Sequence, residues 1–373
     1  MFLKLVSLIY HCTIQMYEFR RNIKPSQRFE YGIYQLADHL FGRKKLFKDR
    51  SGFYKRLAAT LKVSGEGKIT PLERRKDLSL EEFHNHYVRK GIPVILEGAA
   101  KDWPCVKKWS LEYFKELHGD DEILYMDQLK HGFPFEATTL REVINNIRSG
   151  GGKYYRFYPL LDRHPEHIKD FDYKWLLEHK HKSGKRFQAF QVFMGGKGTI
   201  TNFHNAAASN IFVQVYGEKE WILYSQYYNA VFDADPVQNL YRGAPAKAQN
   251  PFDPFIEDPY YGPYGLFKYI DGYSVHLKPG DVFWNPPFYW HAVRNPVDSI
   301  GVGFRFLSPW YSFKISPLYM FCDRFLAKNP PYRKAYKLGS KEIGLVHLAE
   351  FGKLDEYLKI MAEKEAQKKQ AKT

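Results

Sequence analysis

Two strand-like stretches, each delivering one histidine, constrain this chain more than any other feature. The first runs from Thr199 to Tyr224, T-I-T-N-F-H-N-A-A-A-S-N-I-F-V-Q-V-Y-G-E-K-E-W-I-L-Y. The second runs from Pro279 to His291, P-G-D-V-F-W-N-P-P-F-Y-W-H. Both are rich in β-branched and aromatic residues and are bounded by turn residues, the pattern of buried strands. His204 and His291 are too far apart in sequence to meet by local folding, so only tertiary structure can bring them together. Two histidines with a carboxylate two places after the first form the facial triad that holds non-haem Fe(II). Here that place is taken by Ala206, which carries no ligand atom.

The chain has 373 residues, 44% hydrophobic and 17% aromatic. That is enough apolar material for one large core or two ordinary ones, and it excludes disorder as the default. The net charge of +15 suits a basic soluble surface and equally an anionic partner, with nucleic acid left open. Cys12, Cys105 and Cys322 are odd in number and widely spaced, which fits a reducing compartment, read here as the cytoplasm, and no disulfide framework. No stretch is long and apolar enough for a membrane-spanning helix. The first fifteen residues are mildly apolar but lack a cleavage site, and Met16 offers an alternative start.

Residues 1–76 are read as a basic helical extension, broken near Gly65-Glu66-Gly67. Ser79 with Glu82 reads as a capping box opening a short helix stopped by Gly91. Strands are expected at 92–98, 123–126 and 154–158, and helices at 111–117, capped by Ser110, and at 140–147. From Phe187 to Phe306 strand follows strand, interrupted by a polar, Tyr- and Pro-rich loop over 226–272 that is long enough for a lid. Helices return after 311. One is expected from Ser316 to Leu326 and another from Lys341 to about Glu363. The second carries an apolar stripe at Ile343, Val346, Leu348, Leu354, Leu358 and Ile360, followed by a fraying tail from Glu363 to Thr373.

Several of these segments together resemble the cupin-like JmjC oxygenases, the double-stranded β-helix group that includes the asparaginyl hydroxylase of hypoxia signalling. Residues 93–104, P-V-I-L-E-G-A-A-K-D-W-P, resemble the family's opening strand and turn. Thr201-Asn202-Phe203-His204 resembles its T-x-x-H approach to the metal. Asn210, Gly217-Glu218-Lys219 and the Pro279-Gly280-Asp281 to His291 segment match later landmarks. The resemblance implies a mainly β fold with flanking helices, α+β overall, around a jelly-roll core spanning 77–310. It also implies C-terminal helices at 311–373 placed where family members form homodimers.

The same resemblance assigns roles. His204 and His291 become ligands of Fe(II). Lys219, helped by the Thr201 hydroxyl, binds the distal carboxylate of 2-oxoglutarate, and Asn210 lies near that co-substrate. Arg305 becomes an anion-binding group in the active site if it faces inward. Ala206, at the departure from His-x-Asp, admits three outcomes. Chloride or water fills the position, as in related iron halogenases, giving a halogenase or hydroxylase. A substitute ligand reaches in from Asn205, Asp233 or Asp235. Or the barrel is a catalytically inactive binding module. The substrate, a small molecule or a peptide side chain among others, is not specified by these residues.

Overall fold

The computed structural model describes residues 23–42, 46–127, 135–158, 160–181, 186–206, 208–233, 252–321, 348 and 351–370. Two helices come first, α1 (Pro25–Phe41) and α2 (Ser51–Val63). Short strands β1 (Ile69–Pro71), β2 (Arg74–Arg75) and β3 (Val94–Leu96) follow. Helix α3 (Leu111–His118) begins at Ser110, whose hydroxyl accepts from the Tyr113 N–H, and α4 (Leu140–Arg148) begins at Thr139 in the same way. Around α4 lie β4 (Glu122–Asp127), β5 (Phe135–Thr139) and β6 (Lys153–Tyr158). A 3₁₀ turn at Pro165–Asp170 and α5 (Tyr173–His179) lead into the main run of strands.

That run is β7 (Arg186–Gly195), β8 (Ile200–His204), β9 (Ser209–Tyr216), β10 (Lys219–Tyr224), β11 (Gly272–Leu277), β12 (Val282–Asn285), β13 (Trp290–Arg294) and β14 (Ser299–Leu307). The strands form a five-stranded sheet in the order β1-β11-β10-β13-β8 and a nine-stranded sheet in the order β2-β3-β12-β9-β14-β7-β6-β4-β5. The two sheets face each other across one apolar interior built from both, including Ile95, Phe193 and Phe212 on one wall and Trp221, Leu223 and Val293 on the other. This is the β-rich jelly-roll core with flanking helices expected from the sequence.

Alternation along the strands sorts side chains between layers. On β14, Ile300, Val302, Phe304 and Phe306 face outward into a core shared with the α3–α5 region, while Gly301, Gly303 and Arg305 face the interior. Glycine is required at 301, because an added Cβ would stand 2.3 Å from Phe212 Cζ and 3.2 Å from Lys219 Cε. The outer face of the five-stranded sheet is covered by a third core, in which Phe203 and Trp290 pack with Tyr31, Phe53 and Leu57 of α1 and α2.

Two elements differ from the sequence reading. The 226–272 segment is not a plain polar loop in its described parts: Tyr228, Phe232, Phe252, Tyr264 and Phe267 are buried in that third core, held there by aromatic area that outweighs the polar composition. Its middle, 234–251, lies outside the described residues. The Lys341–Glu363 helix is not continuous: Gly352 has φ +68°, and α6 (Leu354–Gln370) starts only after it and runs on through the tail expected to fray. The stripe from Ile343 to Ile360 is therefore split. Ile343 and Val346 lie outside the described residues, and Ile360 is 41% exposed. The helix expected from Ser316 is present over its described part, Pro317–Phe321, and a further helix, Pro309–Ile315, precedes it; residues beyond 321 in the expected helix lie outside the described set, as do Cys12 and Cys322.

Candidate metal and anion site

β8 ends on His204, and His291 is the second residue of β13, directly opposite it in register. The two rings lie 4.2 Å apart, centroid to centroid. Each Nδ1 is 2.7–2.9 Å from a backbone carbonyl two residues back, Asn202 O for His204 and Tyr289 O for His291. Those bonds place the proton on Nδ1 and leave an Nε2 lone pair on each ring, the form in which imidazole binds a metal. His291 is only 3% exposed.

The loops carrying the two rings are joined. The Phe288 N–H donates to the Ala206 carbonyl at 2.7 Å. Phe288 holds φ +68°, a left-handed conformation that costs a non-glycine residue about 1–3 kcal/mol and is typical of functional sites. On the far side of the strands, Phe203 and Trp290, each next to a histidine, stack at 5.4 Å and 19°. β12 is set by the Pro-Gly-Asp turn: Gly280 takes φ +91°, and the buried Asp281 carboxylate accepts from the N–H groups of Lys278 and Gly98 and from Arg74.

Lys219 is 1% exposed. It is no hairpin surface residue; its neighbour Glu218 is the exposed one, paired with His276. The Lys219 ammonium donates to Asn295 Oδ1 at 2.5 Å, and Asn295 Nδ2 donates to Thr199 Oγ1 at 2.7 Å. No carboxylate pairs with Lys219 among the described residues, and burial pulls its pKa from 10.5 down to about 7. On β10 the interior positions run Lys219, Trp221, Leu223, and Leu223 lies opposite His291. Trp221 thus stands between the cation and the histidine pair, its ring 5.2 Å from that of His291.

The opposite wall is polar. Asn210 pairs in register with Asn285 on one side and Arg305 on the other. An added Cβ at Gly303 would lie 2.9 Å from Asn210 Oδ1, which fixes that amide inside the barrel. Arg305 is half-buried, with its guanidinium 6.0 Å from the Phe193 ring centroid. Thr201 Oγ1 is 3.0 Å from the Tyr154 hydroxyl. The side-chain carbonyls of Gln191, Asn205, Asn210 and Asn285 and the Trp221 indole N–H are buried without a hydrogen-bond partner among the described residues. Orphaned groups in this number mark a place built for something polar.

The substitute ligands weighed from sequence fare differently. Asp233 caps a short helix and lies 3.8 Å from Arg50, so it is engaged with the N-terminal helices. Asp235 lies outside the described residues. Asn205 is buried beside His204 with its amide oxygen unpartnered. Among the described residues, no carboxylate, thiol or third imidazole completes a three-ligand group at His204 and His291; the groups that do form lie elsewhere, around His118.

Two facing sheets with a pair of facing imidazoles and a buried ammonium between them form a cupin-like barrel. A family profile described as "Cupin-like domain" matches residues 80–312, and the chain belongs to that family, among the JmjC-type cupin oxygenases. It is 26% identical over 243 residues to lysine-specific demethylase 8 of Xenopus tropicalis, covering 63% of this chain and 51% of the relative. It is 24% identical to lysine-specific demethylase JMJ30 of Arabidopsis thaliana, covering 65% and 54%. It is also 24% identical to human tRNA wybutosine-synthesizing protein 5, covering 63% and 78%. The match spans about half the length of the two demethylases. Among the described residues no helix is long and apolar enough to cross a membrane.

Proposed function

We propose that this barrel is an Fe(II)- and 2-oxoglutarate-dependent oxygenase-type site with a two-histidine metal centre. The observation that carries the reading is the pairing of two facing imidazoles, each bonded to a backbone carbonyl through Nδ1, with a buried ammonium that has no carboxylate partner among the described residues. His204 and His291 would hold the metal. Lys219 would take the distal carboxylate of the co-substrate, with Thr201 and Asn210 lining its place. When bound, iron and 2-oxoglutarate would together reduce and activate dioxygen, which is the oxidant in this family's chemistry. The protein's own part is to orient the reactants, exclude water and neutralise the dianion.

Ala206 gives the site its individual character. Without a carboxylate a bound metal would retain one more unit of positive charge, and the small methyl of Ala206 would leave room for chloride or water. We place halogenase-like chemistry and hydroxylation together as outcomes of that substitution. A second reading, a non-catalytic binding module, is favoured by the same missing ligand. The net charge of +15 supports an anionic substrate or partner, and the free buried thiol of Cys105 suits a cytoplasmic setting.

Anaerobic titration of the purified chain with Fe(II) and 2-oxoglutarate tests the reading. A visible charge-transfer band that depends on both ligands, and disappears in His291→Ala, is expected; a band that moves with chloride points to halide in the third position. No iron uptake and no 2-oxoglutarate affinity would leave only the binding module.

A further inference from the structure

A second constellation of metal-ligand side chains lies outside the barrel, on the helical side of the nine-stranded sheet. It joins the C-terminal end of α3 to the 165–170 turn. His118 Nε2 and His167 Nε2 approach to 2.7 Å. His164 stacks on His118 at 3.6 Å and 18° and bonds Asp121 Oδ2 at 2.7 Å through Nε2. Two overlapping sets, His118–Asp121–His164 and His118–Glu166–His167, each bring their ligand atoms within 4.8 Å of one another.

An independent feature shows that His167 is oriented for ligation. The buried Asp170 carboxylate accepts from Trp109 Nε1 at 2.9 Å and Lys108 Nζ at 2.8 Å, and lies 3.3 Å from His167 Nδ1. A carboxylate fixed by two other donors and holding the imidazole Nδ1–H is the outer partner that metal-binding histidines use. It sends the His167 Nε2 lone pair straight at His118.

From this arrangement we infer a structural site for a divalent transition cation of the zinc class, ligated by the Nε2 atoms of His118 and His167 and the carboxylate of Glu166, with the Asp121–His164 pair packed against the His118 ring. Mixed imidazole and carboxylate donors select such ions over magnesium or calcium. Two nitrogens each ~2.0–2.1 Å from a tetrahedral ion sit ~3.3 Å apart, so the rings need to open by only about half an ångström. The ion ties α3 to the 165–170 turn across Trp109 and Phe114, which already pack on His167. The site is separate from the barrel histidines, and its existence does not depend on whether the barrel turns over substrate.

Cobalt(II), as a spectroscopic stand-in for zinc, tests this on the full chain carrying His204→Ala and His291→Ala, which silences the barrel. One equivalent of Co(II) with intense visible d–d absorption, displaced by Zn(II), is expected. Glu166→Gln, at a side chain 58% exposed and so safe for folding, weakens it by about tenfold or more, and His118→Ala abolishes it. Should the barrel-silenced protein fail to fold, the wild-type chain is counted instead: the number of Co(II) equivalents bound, whether or not the barrel takes one, falls by one in Glu166→Gln with His118→Ala. Absence of Co(II) uptake, or uptake indifferent to residues 118 and 166, overturns the assignment.

Discussion

Lys219→Met separates the cost of a buried charge from its use. The charged form of a lysine moved from 10.5 to about 7 by burial carries ~5 kcal/mol of penalty, at about 1.36 kcal/mol per pH unit. Methionine removes that penalty at similar volume but strands Asn295 Oδ1, at a cost of ~1–2 kcal/mol. The sign follows from linkage. Below pH ~7 the folded protein must carry the charge, so the penalty is felt in full; between ~7 and ~10.5 the unfolded chain binds the extra proton and the penalty fades. Urea denaturation should therefore find Lys219→Met about 3 kcal/mol more stable than wild type at pH 6, and slightly less stable near pH 10.5. Calorimetry on the same proteins should show 2-oxoglutarate binding weakened about tenfold to a hundredfold, the value of a charge-assisted bond. Wild-type affinity itself should decline above pH ~7, as the free ammonium is lost. A variant that is destabilised at pH 6, or that binds 2-oxoglutarate as well as wild type does, would refute the picture of Lys219 as a cation held ready for an anion.

Other perturbations address neighbouring parts of the site. Ala206→Asp restores a carboxylate beside His204 and should tighten Fe(II) binding by about tenfold or more while removing any chloride response, read by anaerobic iron titration. Gly301→Ala places a methyl 2.3 Å from Phe212; a loss of ~1–3 kcal/mol in urea unfolding is expected, with weaker 2-oxoglutarate binding because Lys219 Cε must shift. Asp281→Ala unpairs two backbone N–H groups and Arg74 and should cost about 3 kcal/mol by thermal or urea unfolding, with both histidines still present.

The strand-rich core was legible because its evidence is local. Alternation in β9, β10 and β14 and the Pro-Gly-Asp turn each declare themselves within a few residues, and two histidines at strand ends are conspicuous. The burial of Lys219 followed from its interior phase on β10, whereas its Asn295–Thr199 support joins residues from three different segments and has no local signature. The His118–His164–His167 cluster was missed for the same reason: it joins a helix end to a turn across intervening strands, and none of its histidines stands in a motif. A partial clue was available, since His164 and His167 share one turn with Glu166 between them. The break at Gly352 was overridden in the reading by an apolar stripe that continued on both sides, although a glycine there was itself the stop signal.

The rings behind the proposed site have a consequence for any metal it holds. Phe203 and Trp290 are bonded in sequence to the two histidines, and they are clasped face to face on the reverse of the sheet by helices drawn from the first quarter of the chain. The spacing of the imidazole jaws is thereby gauged from the rear, like the tips of calipers set at the handles. Trimming α1 or α2, which pack on the reverse of that sheet, would slacken the grip on any cation held at the proposed site.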